Sequence, residues 1–205
     1  MSQYSELLAR ARDLARARLS EESYAHCERV AATARALAER YGVDADAAEL
    51  AGLLHDYCRD ETDGGLIQAA EELGVPVLSF EREHSYLLHS RIAAARLRQE
   101  LPGTGEAVLS AISVHTVGAV PMSDLDKVVY LADMIEPART YPGVDELRAS
   151  CVADPLAECF RRGYGRSLRH VMEKGGTPHP ISAAVMASVE RETGRPLFDA
   201  LGTTP

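Results

Sequence analysis

Along most of the chain apolar side chains recur at intervals of three and four residues, the spacing that gathers one face of an α-helix. From Leu7 to about Leu19 leucines and alanines form such a stripe. Ser20 then offers a cap to a second helix that runs to about Tyr41 and stops at Gly42. Asp46 with Glu49 three residues on makes a capping box, and Ala47, Ala48, Leu50, Ala51, Leu53 and Leu54 carry a largely apolar helix into His55 and Asp56. A helix that apolar belongs in a core. Further helices are expected at about 63–73, 84–100, 105–117, 123–135, 144–150, 154–174 and 181–194, divided by turn formers such as Gly74-Val75-Pro76, Pro102-Gly103 and Glu136-Pro137.

Only Val75-Pro76-Val77-Leu78-Ser79-Phe80 invites comparison with a strand, and a proline with no partner run nearby argues for a loop. Gly175-Gly176-Thr177-Pro178-His179-Pro180 is a second irregular stretch, because glycine and proline dominate it. Thr203-Thr204-Pro205 reads as a frayed end. There is no internal repeat, low-complexity segment or interdomain linker, so residues 1–205 read as one domain with a C-terminal helix and tail over 181–205.

Composition sharpens this picture. Tryptophan is absent and aromatics are 5% of the residues, so the core is built from Leu, Ala and Val, which favours helices over strands. Lys and Arg number 22 against 31 Asp and Glu, and the net charge of −9 disfavours sequence-independent nucleic-acid binding. No apolar run approaches membrane-spanning length, and the arginine-interrupted amino terminus lacks the apolar segment of a secretion signal. Cys27, Cys58, Cys151 and Cys159 show no C-x-x-C spacing and read as reduced thiols of a cytoplasmic protein.

The histidines and aspartates are not scattered. His26 shares a stripe with Val30, Thr33 and Leu37, which turns its ring to the buried side of its helix. His55 follows Ala48, Ala51 and Gly52 on one face with Asp56 about 100° round, His89 leads Ile92 and Ala93, and His115 closes the stripe of Val108, Ala111 and Ile112. Asp133 sits in the apolar turn Tyr130-Leu131-Ala132, where an ionised carboxylate is costly unless paired or metal-bound. Any one such histidine is ordinarily a satisfied core imidazole. Together, His26, His55, Asp56 and Asp133 come from three helices and supply the nitrogen and oxygen ligands of a borderline divalent metal.

At this point the sequence resembles a known group. His26, the pair His55-Asp56 in Leu-Leu-His-Asp-Tyr-Cys-Arg, and Asp133 in Tyr-Leu-Ala-Asp-Met-Ile-Glu-Pro look like the signature of HD-domain metal-dependent phosphohydrolases. The stretches Glu-His-Ser-Tyr-Leu-Leu-His-Ser ending in His89, Ser-Val-His-Thr at 113–116, Ala-Asp-Met-Ile-Glu-Pro-Ala-Arg at 132–139 and Tyr-Pro-Gly-Val-Asp-Glu-Leu-Arg at 141–148 narrow it. With them, roughly residues 20–185 are similar to the bacterial YqeK family, symmetrical diadenosine tetraphosphate hydrolases.

The resemblance implies an all-α HD-domain helical bundle with a metal site in its core, a homodimer, and one iron per subunit held by His26, His55, Asp56 and Asp133, with manganese or cobalt as alternatives. It implies nucleotide contacts at Asp56, Arg59, His89, His115, Thr116, Asp133 and Arg139, and along Thr177, Pro178, His179, Pro180, Ile181 and Ser182. The substrate would be a dinucleoside polyphosphate and the product ADP. Two positions depart from the family pattern: Ser23 stands where an arginine is common, and Arg59 where a lysine is. His84 aligns with no family ligand; a surface or helix-cap role is the ordinary reading and a second metal the alternative.

A phosphoanhydride yields only to an activated water, charge neutralisation and in-line positioning. Asp56 or Asp133 would take the proton of the water, Asp133 being favoured for its more apolar setting. His89 and His115 would donate to phosphate oxygens or protonate the leaving group. Arg139 and Arg59 would hold phosphate, and Thr116 with the Gly175-Gly176 loop would supply hydroxyl and amide donors. The rivals are another HD nucleotide phosphohydrolase, such as a nucleoside monophosphatase or an alarmone hydrolase, and a non-catalytic nucleotide-sensing HD module.

Overall fold

The computed structural model describes residues 3–198, so the expected frayed end at Thr203-Thr204-Pro205 lies outside the described residues. Eleven α-helices are present among them, and no strand: α1 (Gln3–Arg18), α2 (Glu21–Tyr41), α3 (Ala45–Leu54), α4 (Asp63–Glu72), α5 (Ser79–Glu83), α6 (His89–Glu100), α7 (Glu106–Val114), α8 (Asp124–Ile135), α9 (Val144–Ala153), α10 (Leu156–Glu173) and α11 (Ser182–Thr193). A 3₁₀ turn at Ser85–Leu88 joins α5 to α6. None of these helices is long and apolar enough to cross a membrane.

The caps explain most boundaries. The Ser20 hydroxyl accepts from the Ser23 amide at 3.2 Å at the start of α2, and Gly42, left-handed at φ 70°, closes that helix. Ser123 and Asp126 form a reciprocal capping box on α8. In α3 the start lies earlier than the capping-box pattern predicts. Asp44 is the cap, its carboxylate accepting from the Ala47 amide at 3.0 Å. Asp46 and Glu49 instead accept from Arg35 Nη1 of α2, each at 2.8 Å, and this charged contact between helices displaces the box.

The single helix expected over 84–100 is broken into three pieces. Glu81 turns back to accept from the Leu78 amide at 2.8 Å, which makes Ser79–Glu83 a helix of its own inside the expected loop. His84 then leaves helical geometry at φ −132°, ψ 52°, and α6 restarts at His89.

α8 lies at the centre, with Leu125 to Ala132 buried throughout, and packs against α2, α3, α7, α9 and α10. One continuous apolar cluster reaches from Leu8 of α1 through Leu53, Ile92, Ile112 and Leu131 to Phe160, Tyr164 and Val189. The contact of α2 with α3 is close because of Gly52, where an added Cβ would come within 2.9 Å of the Ala31 Cα. Only glycine fits there, and the close approach brings the ends of His26 and His55 to one point.

Candidate metal centre and active site

Four histidines and two aspartates meet where α2, α3, α6, α7 and α8 come together. His55 is the C-cap of α3, His115 that of α7, and His89 that of the 3₁₀ turn. At a helix end the last carbonyls have no partner within the helix. Each ring uses one: Nδ1 donates to Gly52 O at 2.8 Å from His55, to Ile112 O at 2.8 Å from His115 and to Tyr86 O at 2.5 Å from His89. A carbonyl only accepts, so Nδ1 carries a proton in all three and Nε2 is turned to the centre. His26 lies inside α2, where the carbonyls are already taken, and its Nδ1 finds the Glu136 carboxylate at 3.2 Å.

The two carboxylates face these Nε2 atoms. Asp133 Oδ1 is 3.0 Å from His26 and 3.9 Å from His55; Asp56 Oδ2 is 3.4 Å from His55 and 3.9 Å from His26. On its other side, Asp56 Oδ1 lies 3.1 Å from His89 and 3.5 Å from His115, whose Nε2 atoms are 3.2 Å apart. Two groupings with spacing for a metal ion therefore share Asp56: His26-His55-Asp56 and Asp56-His89-His115. The sequence reading does not anticipate the second as a ligand set. His84 joins neither; its ring lies 4.4 Å from that of Phe80, and no cap hydrogen bond comes from its side chain.

The donor set fits a cation. His55 Nε2 is fully buried without a hydrogen-bond partner, a costly state unless something accepts its lone pair. α3, α7 and the last turn of α8 also point their negative C-terminal ends at this place.

Electrostatics follow from crowding. Burial pushes the His55 pKa down to about 4, so the ring is neutral and able to ligate. Burial alone would raise the carboxyl of Asp56, but the charge of His55 and the hydrogen bonds of His115 and His89 outweigh it and hold the group well below the usual carboxylate range. The same contest at Asp133 is decided by the His26 hydrogen bond, His55 and Arg139. His115 is held above the usual histidine value because its hydrogen bond to Asp56, and that charge, overcome burial. The more apolar setting expected for Asp133 is reversed: its side chain is 26% exposed against 11% for Asp56, and Arg139 Nη2 donates to it at 2.5 Å. Its end of α8 opens to the surface, which lets the arginine reach it.

A cavity beside the cluster is lined by Asp56, Arg59, His89, His115, Thr116, Asp133 and Arg139, all expected nucleotide contacts, and by Tyr130, Met134 and Ser167. It adjoins a second cavity that shares Thr116, Tyr130 and Ser167 and is walled by Phe80, His84 and Tyr86, and by Thr177, Pro178, His179 and Ser182 of the irregular loop. Pro180 is exposed and Ile181 packs against the core, so these two face neither cavity. Ser23 gives its hydroxyl to Asp60 at 2.7 Å on the rim of α2.

Comparison with known proteins decides the family. An HD domain matches residues 23–138, more than half of the chain. A protein of Staphylococcus aureus (strain NCTC 8325 / PS 47), bis(5'-nucleosyl)-tetraphosphatase, symmetrical, is 42% identical over 143 residues, 69% of this chain and 72% of that protein. The chain belongs to the YqeK family of HD-domain proteins. A second YqeK-family relative, from Bacillus subtilis (strain 168) and of the same name, is 38% identical over 79% of this chain and 86% of its own. The fold is also that of a Clostridium acetobutylicum crystal structure described as a predicted HD superfamily hydrolase involved in NAD metabolism. The TM-score is 0.84 at 31% identity, over 94% of this chain and 99% of that one.

Several residues of the site escape a sequence reading even within the YqeK pattern. Glu81, 2% exposed, stands 3.5 Å from His179 Nε2 and takes a hydrogen bond from Arg91 at 2.6 Å, tying the nucleotide loop to α5. Tyr130 and Ser167 bridge the cavities. The one available signal was charge in the wrong place: Glu81 and Glu136 sit at the ends of short helices, buried where an acid needs a partner.

Proposed function

We infer that the protein is a metal-dependent hydrolase that cleaves diadenosine tetraphosphate symmetrically to two ADP, working in the cytoplasm as a single-domain chain that pairs into a homodimer. The observation that carries the chemistry is the buried meeting of His26, His55, Asp56 and Asp133, with an orphaned imidazole nitrogen, at the mouth of a cavity flanked by Arg59 and Arg139. The substrate comes from the names of the relatives.

The four residues would hold the ion, iron being the family's implied metal and manganese or cobalt its alternatives. When bound, it supplies Lewis acidity toward water and phosphoryl oxygen. The chain does the rest. Asp56 and Asp133, kept ionised, are the acceptors for the proton of the attacking water, and Asp56 is the better enclosed. His115, which retains its proton more readily than an ordinary histidine, and His89 beside it face the phosphates as donors, with Thr116 Oγ1 within 3.4 Å of both Nε2 atoms. Arg59 is exposed at the rim and Arg139 is 40% exposed, so both guanidinium groups can turn to the polyphosphate. The aromatic cavity behind Thr116 suits a purine base.

Two tests follow. Incubation with diadenosine tetraphosphate should give ADP as the only primary product, while ATP with AMP would overturn the reading. A second reading, a cation on Asp56, His89 and His115, rests on the spacing of those groups; metal content of the His89→Ala and His115→Ala variants separates it from a donor role.

A further inference from the structure

We propose that Glu136 is a positioning residue for the metal centre, fixing the tautomer of His26. The inference rests on the metal reading above. Three of the four histidines obtain a proton on Nδ1 from backbone geometry alone, since each ends a helix and finds a free carbonyl three residues back. His26, in the body of α2, has no such carbonyl. Free imidazole in water has no strong reason to choose Nδ1–H, and with the proton on Nε2 the nitrogen facing Asp56 and Asp133 could not ligate a cation.

Glu136 settles the choice. It caps α8 with only 2% exposure, and its two oxygens are divided between different tasks. Oε2 accepts from Arg29 Nε at 2.7 Å and from the Ala138 amide at 2.7 Å, which orients the carboxylate and helps hold it ionised against its burial. Oε1 is left for His26 Nδ1 at 3.2 Å. A carboxylate can only accept, so His26 must donate through Nδ1 and present a bare Nε2 to the centre. The negative charge behind the ring also raises the basicity of Nε2, which a carbonyl does less.

The division of oxygens makes glutamine the informative replacement. In Glu136→Gln the amide oxygen must stay on the side of Arg29 and Ala138, both donors. The amide nitrogen then faces His26, donates to Nδ1, and drives the proton to Nε2. The side chain keeps its size and its cap, so the fold is retained.

The experiment uses the full chain stripped of metal. Long-range ¹H–¹⁵N NMR of the imidazoles reads the His26 tautomer, and titration with manganese(II) alone reads affinity. The wild type is expected to show Nδ1–H and to take up manganese; Glu136→Gln is expected to show Nε2–H and to bind about 10- to 100-fold more weakly. Glu136→Ala should also weaken binding, with His26 spread over both tautomers. A variant that binds manganese as the wild type does, or that binds weakly while His26 keeps Nδ1–H, overturns the proposal. A wild-type chain that takes up no manganese would overturn the metal reading, and this inference with it.

Discussion

His55 and Arg161 are both fully buried, one at the end of α3 and the other in α10, and they are treated in opposite ways. Arg161 gives Nε and Nη2 to the Glu158 carboxylate at 2.9 and 2.8 Å, and Nη1 to Pro196 O at 2.8 Å, which pins the segment after α11 to α10. His55 gives up one nitrogen to Gly52 and keeps the other bare, between two carboxylates that repel each other. A buried polar group that is saturated holds structure together; one left open beside like charges is kept for something the chain does not itself contain. The difference is visible in geometry although both residues have the same burial.

Breaking the open cluster should therefore remove function without loss of fold. His55→Ala and Asp56→Asn are each expected to abolish metal uptake and hydrolysis together, while the melting temperature of the metal-free chain stays level or rises, because an orphaned group or a repelling charge is lost. Full metal occupancy in both variants would sink the assignment.

Breaking the saturated pair should do the reverse. Glu158→Ala leaves a buried guanidinium without its main partner, a change that costs about 3 kcal/mol or more. For a chain of this size that lowers the melting temperature by about 6–12 °C, with metal uptake intact. Differential scanning calorimetry beside metal analysis checks both halves; a variant as stable as the wild type would show that the pair contributes little.

His89 and His115 lie between the two cases, since each has one nitrogen satisfied and one directed at Asp56. Alanine at either should lower hydrolysis by about 10²-fold, the usual cost of one preorganised donor, and leave the metal in place. Lost metal would instead assign them, with Asp56, to a second cation.

The contrast also explains what a sequence can carry. His26, His55, Asp56 and Asp133 are legible because apolar helical stripes are local and an aspartate inside one stands out. Asp44 as the cap of α3, and not Asp46, depends on Arg35 from another helix, and the break at His84 depends on Glu81 folding back on Leu78. Glu136 could not be assigned because its partners, His26 and Arg29, lie more than a hundred residues away in the chain. Contacts of that kind are set by packing, which no period reveals.

The smallest effect separates the two regions by pH. The hydrogen bond from Arg161 holds the Glu158 carboxyl below its usual value despite burial, so the folded chain protonates there only in acid stronger than the unfolded chain requires. Stability from this group is present in full above the unfolded pKa of about 4.3. It is lost as pH falls through the lower folded value, since the unfolded state then binds the extra proton. Asp56 and Asp133 are depressed as well and make the whole protein acid-sensitive, but they do so equally in the wild type and in Glu158→Gln. The difference in melting temperature between those two metal-free proteins isolates Glu158. It should be constant from pH 7 to 5 and shrink below about pH 4.3. A gap that stays constant into acid would mean that Arg161 is held by its backbone carbonyls and that the carboxylate adds nothing to the staple.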